Sequence, residues 1–505
     1  MDNKIAAVKM RDITKRFGSV VANDRVWLDI YRGEILALLG ENGSGKTTLM
    51  NMLSGIYFPD EGQILIDGEE VVIRSPRDAY RYGIGMIHQH FKLVDVFTAA
   101  ENITLGLDEK LDLKATAARI RSICERYGFD LDPNQKIYDM SVSQKQTVEI
   151  VKALYRGADI LILDEPTAVL TPQETDKLFA VLRSMRDDGK AIVIITHKMH
   201  EVEALSDRVA VLRHGQFVGD MLTKDTNAQE MTNMMVGHAV TLNIARPDPV
   251  DPKPRIEVKN LTVRSIDGIV KLDDVSFTAN SGEILGIAGI SGCGQKELLE
   301  AIAGLQPTEN GSICYVEDDG TREELLGKDP LSIAEMGVAL SFVPEDRLGM
   351  GLVGNMDLSD NMMLRSFRKG RGILTDRKSP RKLAETVVEE LDVNTPGVTT
   401  PVRRLSGGNV QKVLVGREIA SAPTVLLTAY AVRGLDINAS YTIYDLINRQ
   451  KEIYVGEDLD ALLELADRIL VLCGGKVSGI VPGRGATKRD VGMMMTQLGG
   501  NEAHA

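Results

Sequence analysis

Two stretches of this chain repeat one another about 250 residues apart, and this duplication constrains the fold more than any other feature. Self-similarity over so long a period means that one structural unit occurs twice. The sequence therefore predicts two tandem domains of the same kind. The matching stretches are Gly33–Leu36 and Gly40–Gly45 with Gly282–Leu285 and Gly289–Gly294, and Met140–Gln144 with Leu405–Asn409.

A proline-rich segment separates the two copies. Ala245–Pro254 contains four prolines, which cannot propagate a helix or a central strand and favour an extended spacer. We therefore predict a first domain over residues 1–240, a linker over 241–255 and a second domain over 256–505.

Composition narrows the class of protein. The 505 residues include 59 Lys and Arg against 72 Asp and Glu, a net charge of −13, so we expect no nucleic-acid partner. No apolar stretch approaches the ~20 residues that span a bilayer, and the N-terminus shows no secretory signal, which predicts a cytoplasmic location without a membrane span. Cys124, Cys293, Cys314 and Cys473 lack C-x-x-C spacing and are predicted to be free, mostly buried thiols.

Apolar runs in the first copy predict an α/β fold. Glu34–Leu39 enters a glycine-rich turn and is followed by a helical pattern over Lys46–Leu53. Ile160–Leu163 and Ala191–Ile195 have the composition of buried parallel strands, and Gln173–Arg186 has helical spacing.

The glycine-rich turn matches G-x-x-x-x-G-K-[ST] in full. Its glycines let backbone N–H groups curl around phosphates, and the helix N-terminus adds a positive dipole. Lys46 would supply a charge and Thr47 a hydroxyl ligand for Mg²⁺. The motif predicts a nucleotide with Mg²⁺; the alternative is a chance glycine-rich turn. The candidate nucleotide-binding residues are Gly40, Glu41, Asn42, Gly43, Ser44, Gly45, Lys46, Thr47 and Thr48.

Polar residues at three other places in the first copy are candidate catalytic groups. Asp164 could hold Mg²⁺ and its waters, and the adjacent Glu165 could polarise the attacking water. His197 follows a strand and could reach a γ-phosphate, while Gln89 could offer its amide to Mg²⁺ or to the water. Taken alone, each residue also has a non-catalytic interpretation: the two acids could be solvated loop residues, and the histidine could be structural.

Taken in this order along the chain, the motifs resemble the nucleotide-binding domain of ABC transporters. The resemblance covers both halves, and it implies two tandem P-loop NTPase domains of the ABC ATPase type. Each domain would have a mainly parallel core sheet, an antiparallel β subdomain and a helical subdomain that carries the signature. It also implies ATP as the nucleotide and ATP hydrolysis as the reaction.

Two further sets of residues gain a role from the resemblance. Leu405–Asn409 is similar to the family's Leu-Ser-Gly-Gly-Gln signature, so Ser406, Gly407 and Gly408 are implied to close over the γ-phosphate held by the opposite domain. Phe17 lies where the family stacks an aromatic ring on adenine. The other interpretation of Phe17 is a core residue at a strand end.

The resemblance implies that the two domains close head to tail, so that each ATP contacts the phosphate loop of one domain and the signature of the other. Departures from the family pattern concentrate in one of the two resulting sites. The first site keeps every residue type that the family pattern expects, but the second lacks a carboxylate to bind Mg²⁺ and a general base. We therefore expect one hydrolysing site and one that at most holds nucleotide. The altered positions are Gln295 for lysine, Lys296 for the Mg²⁺ hydroxyl, Ala429 and Tyr430 for Asp-Glu, Glu345 for Gln89, Glu457 for His197, Ile266 near the aromatic position, and Met140–Gln144 as the borrowed signature.

The fused form resembles ATP-binding subunits of importers for simple sugars, nucleosides and related small polar solutes. This resemblance rests on the segments Pro166–Glu174 and Val343–Arg347. Within the group, the nucleoside branch is favoured by His88–Val94 and Ala100–Ile103. The implied partners are two membrane permease subunits, contacted near Gln89 and Glu345, and indirectly an extracytoplasmic solute-binding protein. The implied location is peripheral, on the cytoplasmic face of the cell membrane.

Alternatives remain for the function and for one element. The same role could serve monosaccharides or another small solute such as riboflavin. A different class, non-transport ABC ATPases that act on ribosomes or nucleic acid, usually has two competent sites or a long basic linker. The second copy also lacks about five residues before Glu457, which predicts a shortened core strand around Arg449–Val455.

Overall fold

The computed structural model divides the chain into two compact units, Met1–Thr241 and Leu242–Ala505. The structure describes residues 6–18, 20–88, 91–107, 112–167, 170–196, 198–237, 246–265, 268–290, 292–335, 340–344, 347–367, 375–420, 423–429, 431–432, 435, 437–450, 453–455 and 459–496. No helix within these ranges is long and apolar enough to cross a membrane.

The first unit alternates strands and helices along the chain. Its strands are β1 (Ala6–Phe17), β2 (Val20–Tyr31), β3 (Glu34–Leu39), β4 (Glu61–Ile66), β5 (Glu69–Val71), β6 (Ile84–Ile87), β7 (Ile160–Asp164), β8 (Ala191–Ile195), β9 (Arg208–Arg213) and β10 (Gln216–Leu222). Its helices are α1 (Lys46–Leu53), α2 (Pro76–Arg81), α3 (Ala99–Thr104), α4 (Leu113–Tyr127), α5 (Val142–Tyr155), α6 (Pro172–Asp187), α7 (Met199–Leu205) and α8 (Ala228–Val236).

These strands form two sheets. The antiparallel sheet has the order β2-β1-β4-β5, and the larger sheet has the order β10-β9-β3-β8-β7-β6. Within the larger sheet, β9, β3, β8, β7 and β6 are parallel and only the edge strand β10 runs antiparallel. This is the α/β arrangement predicted above, with a mainly parallel core and a separate antiparallel sheet.

Local sequence explains why these elements form where they do. Every residue of β3, β7 and β8 is buried, as expected for mainly apolar central strands of a parallel sheet that is covered on both faces. Helix α6 begins where the Thr171 side chain caps the backbone N–H of Glu174, the Glu174 side chain returns to the Thr171 N–H, and Pro172 occupies the first helical position. The predicted strands and helices of the first copy are confirmed, each to within one residue at either end.

Helices α3, α4 and α5 pack on a core of their own. Ile103, Ile120, Val148 and Val151 are at most 1% exposed and lie in this cluster, separate from the core beneath the antiparallel sheet. Because α5 begins at Val142, within the signature-type segment Met140–Gln144, the structure confirms a helical subdomain that carries the signature.

The second unit repeats this order. Its strands are β11 (Pro254–Arg264), β12 (Val270–Asn280), β13 (Leu285–Gly289), β14 (Asn310–Val316), β15 (Arg322–Glu324), β16 (Leu340–Val343), β17 (Val425–Ala429), β18 (Ile453–Val455), β19 (Arg468–Cys473) and β20 (Lys476–Pro482). Its helices are α9 (Gln295–Ile302), α10 (Pro330–Glu335), α11 (Leu358–Met363), α12 (Lys378–Glu390), α13 (Gly407–Ala420), α14 (Ile437–Gln450), α15 (Leu459–Leu465) and α16 (Lys488–Thr496).

The sheets of the second unit have the orders β12-β11-β14-β15 and β16-β17-β18-β13-β19-β20, matching those of the first. Within the described part of the chain, the central strand β18 has three residues where β8 has five, in agreement with the shorter spacing of the second copy. The shortened strand still pairs with both neighbours, with Val455 opposite Ile287 on one side and Ala429 on the other.

Two details differ from the sequence-based expectation. β11 already begins at Pro254, inside the predicted linker, where a strand's first residue tolerates proline. Arg246 also lies against the second unit, because its guanidinium donates to the carbonyls of Leu463 and Ala466, at 2.9 Å each. All four cysteines are free as predicted, but only Cys124 is buried.

Candidate functional site

The strand register of the first unit brings the predicted catalytic segments to one edge of the parallel sheet. Ile195 of β8 lies opposite Leu38 of β3 on one side and opposite Asp164 of β7 on the other. Ile87 of β6 lies opposite Leu163. Parallel strands end at the same edge, so the segments that follow β3, β8, β7 and β6 emerge next to one another.

Glycine is required at two positions of the loop after β3. Gly45 has φ +96°, and a Cβ there would lie 2.3 Å from the carbonyl oxygen of Ala22. A Cβ on Gly40 (φ +156°) would lie 2.3 Å from the carbonyl oxygen of Leu212. Only glycine permits this close approach of the loop to the neighbouring backbone.

The loop leads directly into helix α1, whose N-terminus is open. Gly45 caps the helix and contributes no side-chain hydrogen bond, so the first N–H groups remain available to an anion. Ser44 Oγ is buried and has no hydrogen-bond partner among the described residues. A buried polar atom without a partner is costly, and an incoming phosphate would satisfy it.

Lys46 is held inside this loop. Its Nζ donates to the carbonyl oxygens of Gly40, at 2.6 Å, and Glu41, at 2.9 Å. Burial lowers the pKa of Lys46 to about 8, and the negative charges of Glu165, Asp164 and Glu41 only partly offset that cost. An ammonium group that is short of compensating charge is well suited to receive a phosphate.

Thr47 and Asp164 face each other across the site. The Thr47 hydroxyl donates to Asp164 Oδ2 at 3.1 Å, although the two residues are 117 positions apart in the sequence. Asp164 is 8% exposed, and burial raises its pKa above the ordinary value for an aspartate. A hydroxyl beside a partly desolvated carboxylate is a donor set of the hard-oxygen type that Mg²⁺ prefers.

Glu165 has an unusual backbone conformation. Its φ is +46°, in the left-handed region, which costs a non-glycine residue about 1–2 kcal/mol. The backbone N–H of Glu165 donates to the carbonyl oxygen of Ile195 at 2.9 Å, which fixes this residue between the ends of β7 and β8. Strain of this kind is found preferentially at functional sites.

The other predicted residues of the first site are Gln89, His197 and Phe17. Gln89 and His197 lie outside the described residues, as do Ile266, Glu345, Tyr430 and Glu457 of the second copy. Phe17 ends β1 and is 43% exposed, with its ring edge-on to Tyr57 at 5.2 Å between centroids. Lys15 Nζ lies over the ring, 5.5 Å from its centroid. The interpretation of Phe17 as a core residue is therefore wrong.

The signature of the second unit begins helix α13. Ser406 and Gly407 are exposed at its N-terminus, and the Asn409 side chain donates to Ser406 Oγ at 2.9 Å. The guanidinium of Arg347 donates to the Gly407 carbonyl oxygen at 3.0 Å. No motif in the sequence predicts this contact of Arg347, because only the fold brings it to a glycine 60 positions away.

The signature-type segment of the first unit differs at the same place. Ser141 and Gln144 form a reciprocal capping box, with the Gln144 side chain accepting the Ser141 N–H at 2.9 Å. Val142 occupies the position of Gly407, so an aliphatic side chain covers the start of α5. In both helices the serine hydroxyl accepts the backbone N–H three residues further on, at 3.2 Å in α5 and 3.5 Å in α13. The two helix starts differ in that α13 has two glycines where α5 has a valine and a serine.

The phosphate loop of the second unit has lost its charged groups. Gln295 replaces Lys46, is 3% exposed, and donates its side-chain N–H to the Ile290 carbonyl oxygen at 3.3 Å. Lys296 is 54% exposed and lies 3.8 Å from Glu300 on the next helical turn. Ala429, at the end of β17, replaces the metal carboxylate.

A parallel α/β unit with an open helix N-terminus, a buried lysine and a hydroxyl–carboxylate pair at one sheet edge defines a P-loop nucleotide-hydrolysing protein. A second unit with the same strand order, but without this lysine and this pair, follows it in the chain. The chain matches the ABC transporter family over residues 23–168 and again over 272–428, and it belongs to that family. It is an ATP-binding cassette ATPase, as the motifs predicted.

Similar proteins match along nearly their whole length. The nucleoside import ATP-binding protein NupA of Lactococcus lactis subsp. cremoris is 42% identical over 507 residues, with 98% of each chain covered. A glucose import ATP-binding protein of Haloferax volcanii is 40% identical, covering 99% of this chain and 96% of its own. The guanosine import ATP-binding protein NupO of Bacillus subtilis is 39% identical, with 97% of each chain covered.

Proposed function

We propose that this protein is the energy-coupling ATPase of a membrane importer for nucleosides or related small polar solutes, with one competent and one degenerate ATP site. The observation that carries the proposal is the hydrogen-bonded pair of Thr47 and Asp164 beside Lys46 in the first unit. The second unit has no equivalent arrangement, because Lys296, Ala429 and Gln295 occupy the positions of Thr47, Asp164 and Lys46.

In the competent site, each group has a distinct task. Lys46 and the open N-terminus of α1 bind the β- and γ-phosphates, and Phe17 stacks on adenine. Glu165 accepts a proton from the attacking water, while Gln89 and His197 orient the water and the γ-phosphate. Thr47, Asp164 and Gln89 would hold Mg²⁺, which neutralises phosphate charge when it is bound.

The site is completed by the other half of the chain in this proposal. Ser406, Gly407 and Gly408 would contribute the N-terminus of α13 to the γ-phosphate held by the first unit. Arg347 would steady that N-terminus through the Gly407 carbonyl. The distribution of losses supports this head-to-tail assignment, because the intact signature and the intact phosphate loop lie in different units.

Exposed apolar side chains support a permease partner. They follow β6 in the first unit and β16 in the second, the two places where the predicted contact segments begin. Grouped exposed apolar residues typically mark protein interfaces. They are Val94, Val96 and Leu105 in the first unit, and Leu348, Met350, Val353, Met356, Leu364 and Phe367 in the second. Attachment there would place the protein peripherally on the cytoplasmic face of the membrane.

The solute is proposed from the relatives. Two of the three relatives named above import a nucleoside or guanosine, and the third imports glucose at nearly the same identity. Nucleosides are therefore the first candidate and monosaccharides the second. In proteoliposomes with the permeases and binding protein of its own transporter, nucleosides are expected to stimulate ATP hydrolysis, and stimulation by monosaccharides alone would favour the second candidate.

A matched pair of lysine variants tests the ATPase assignment. Lys46→Ala removes the buried charge and is expected to reduce ATP turnover by more than about 100-fold, since phosphate-binding charges act mainly on the transition state. Lys296→Ala removes an exposed lysine at the equivalent helix start and is expected to change turnover less than about twofold. Equal losses from the two variants would contradict the asymmetric assignment.

A further inference from the structure

A buried carboxylate behind the competent site belongs to none of the motifs above. Glu201, in helix α7, is 3% exposed. It accepts a hydrogen bond from the Thr167 hydroxyl on one carboxylate oxygen and from the Thr196 hydroxyl on the other, at 3.1 Å for Thr196. Lys198 Nζ lies 3.3 Å from the first oxygen.

These partners belong to two different segments of the site. Thr167 comes two residues after Glu165, in the segment that leaves β7, and Thr196 directly precedes His197, in the segment that leaves β8. The backbone N–H of Lys198 also donates to Thr196 Oγ1 at 3.1 Å. One carboxylate therefore joins the two chain segments that carry the proposed base and the proposed histidine.

The second unit supplies an internal control. In the sequence, Val432, Gly456 and Ala461 occupy the positions that correspond to Thr167, Thr196 and Glu201 of the first unit. Val432 and Ala461 belong to the apolar core of the second unit, in which Ala461 is 6% exposed. The whole polar cluster is thus replaced by apolar or small residues in the half that lacks a catalytic carboxylate.

Polar contacts that serve the fold are kept in both halves. Arg208 lies 2.7 Å from Glu34, and its counterpart Arg468 lies 2.5 Å from Glu283. Burying a carboxylate is costly, so a cluster that the same fold does without is not needed for folding as such. The polar cluster occurs in the unit that has the proposed catalytic groups and is replaced in the unit that lacks them.

We propose that Glu201 is a positioning residue for ATP hydrolysis: through Thr167 and Thr196 it sets the segment of Glu165 relative to the segment of His197. This inference rests on the proposed function. Glu201 does not touch the nucleotide in this role. Misplacing a catalytic group by about 1 Å can cost 10²-fold in rate, so the predicted effect lies in kcat and not in ATP binding.

The test compares steady-state ATP hydrolysis and ATP binding by the purified full chain and its variants. Glu201→Gln and Thr167→Val, which removes only the hydroxyl, are each expected to lower kcat by about 10- to 100-fold with the ATP Kd changed less than about threefold. Thr167→Ser keeps the hydroxyl and is expected to restore kcat to within about threefold of the wild type.

Glu34→Gln is the matched control, because it alters a buried carboxylate of the scaffold that both halves keep. It is expected to lower Tm while leaving kcat unchanged below the transition. If Glu201→Gln does not fold, the Thr167 pair decides, since it leaves the carboxylate in place with Thr196 and Lys198.

The outcomes distinguish a failure of the proposed function from a failure of the positioning role of Glu201. An inactive wild-type chain, or a Glu165→Gln variant that is fully active, would overturn the proposed function. If the wild type is active and Glu165→Gln inactive, while Thr167→Val keeps the wild-type kcat, the positioning role alone is wrong. A loss of kcat in Thr167→Ser equal to that in Thr167→Val would also overturn it.

Discussion

The two phosphate loops of this protein enter their helices through glycines of nearly the same conformation and differ in chemistry. Gly45 and Gly294 have φ values of +96° and +100°, and each begins a helix without a side-chain cap. In the first loop Lys46 donates to the Glu41 carbonyl oxygen, and in the second Gln295 donates to the equivalent carbonyl oxygen, that of Ile290. Gln295 thus keeps one of the lysine's two hydrogen bonds to the loop and lacks its charge.

This difference shows that holding the loop and binding the phosphate are separable tasks. A neutral amide can satisfy a buried carbonyl oxygen, but only a cation stabilises a phosphate strongly. The same separation holds elsewhere, since the Arg–Glu pairs of the scaffold recur in both units whereas Asp164, Glu165 and the Glu201 cluster do not. The second unit has retained the contacts that hold its fold, and its own phosphate site lacks the groups that are proposed to hydrolyse ATP in the first.

Replacing the proposed base gives the largest expected effect. Glu165→Gln keeps the shape of the side chain and removes the proton acceptor, so ATP turnover is expected to fall by about 10²- to 10⁴-fold while ATP still binds. Phosphate release and nucleotide binding measure the two quantities. The control is Glu297→Gln, a carboxylate in the first turn of α9, which should leave turnover unchanged. Similar losses from both variants would contradict the comparison of the two halves.

Exchanging residues between the two signatures gives an intermediate effect. Gly407→Val introduces the residue found at the equivalent position of the first unit, Val142, and covers the helix N-terminus. ATP turnover is expected to fall by about 10- to 100-fold, because backbone N–H groups at this end would no longer reach the γ-phosphate. The reverse change, Val142→Gly, should alter turnover less than about twofold. A larger loss from Val142→Gly than from Gly407→Val would reverse the assignment of the two signatures.

The titration of Lys46 gives the smallest effect. Its pKa of about 8 in the free protein means that the amine loses its proton as the pH rises through 8, whereas bound phosphate favours the protonated form. ATP affinity is therefore expected to be highest below pH 8 and to fall about 10-fold between pH 7 and pH 9. Titration calorimetry in two buffers should show net proton uptake at pH 9. Lys46→Ala should bind more weakly and show no such step, and a wild-type affinity that is constant up to pH 9 would contradict the assignment.

Much of the first unit was predictable because its signals are local. β3 and α1 have the predicted bounds, since a buried apolar run, glycines with positive φ and a helix start follow one another within about twenty residues. The shortening of β18 was predictable from the spacing of the two copies. The exposure of Phe17 was not, because a strand-end aromatic fits either a core or a surface, and only the neighbouring elements decide which.

The pattern of side chains by itself determined the duplication, the α/β class, the family and the unequal chemistry of the two phosphate loops, because each depends on residue types in a fixed order. Tertiary structure alone decided which distant groups meet. Arg347 reaches Gly407 across 60 positions, and Thr167 reaches Glu201 across 34. Such contacts arise from strand order and helix packing, and no periodicity or motif in the intervening sequence encodes them locally.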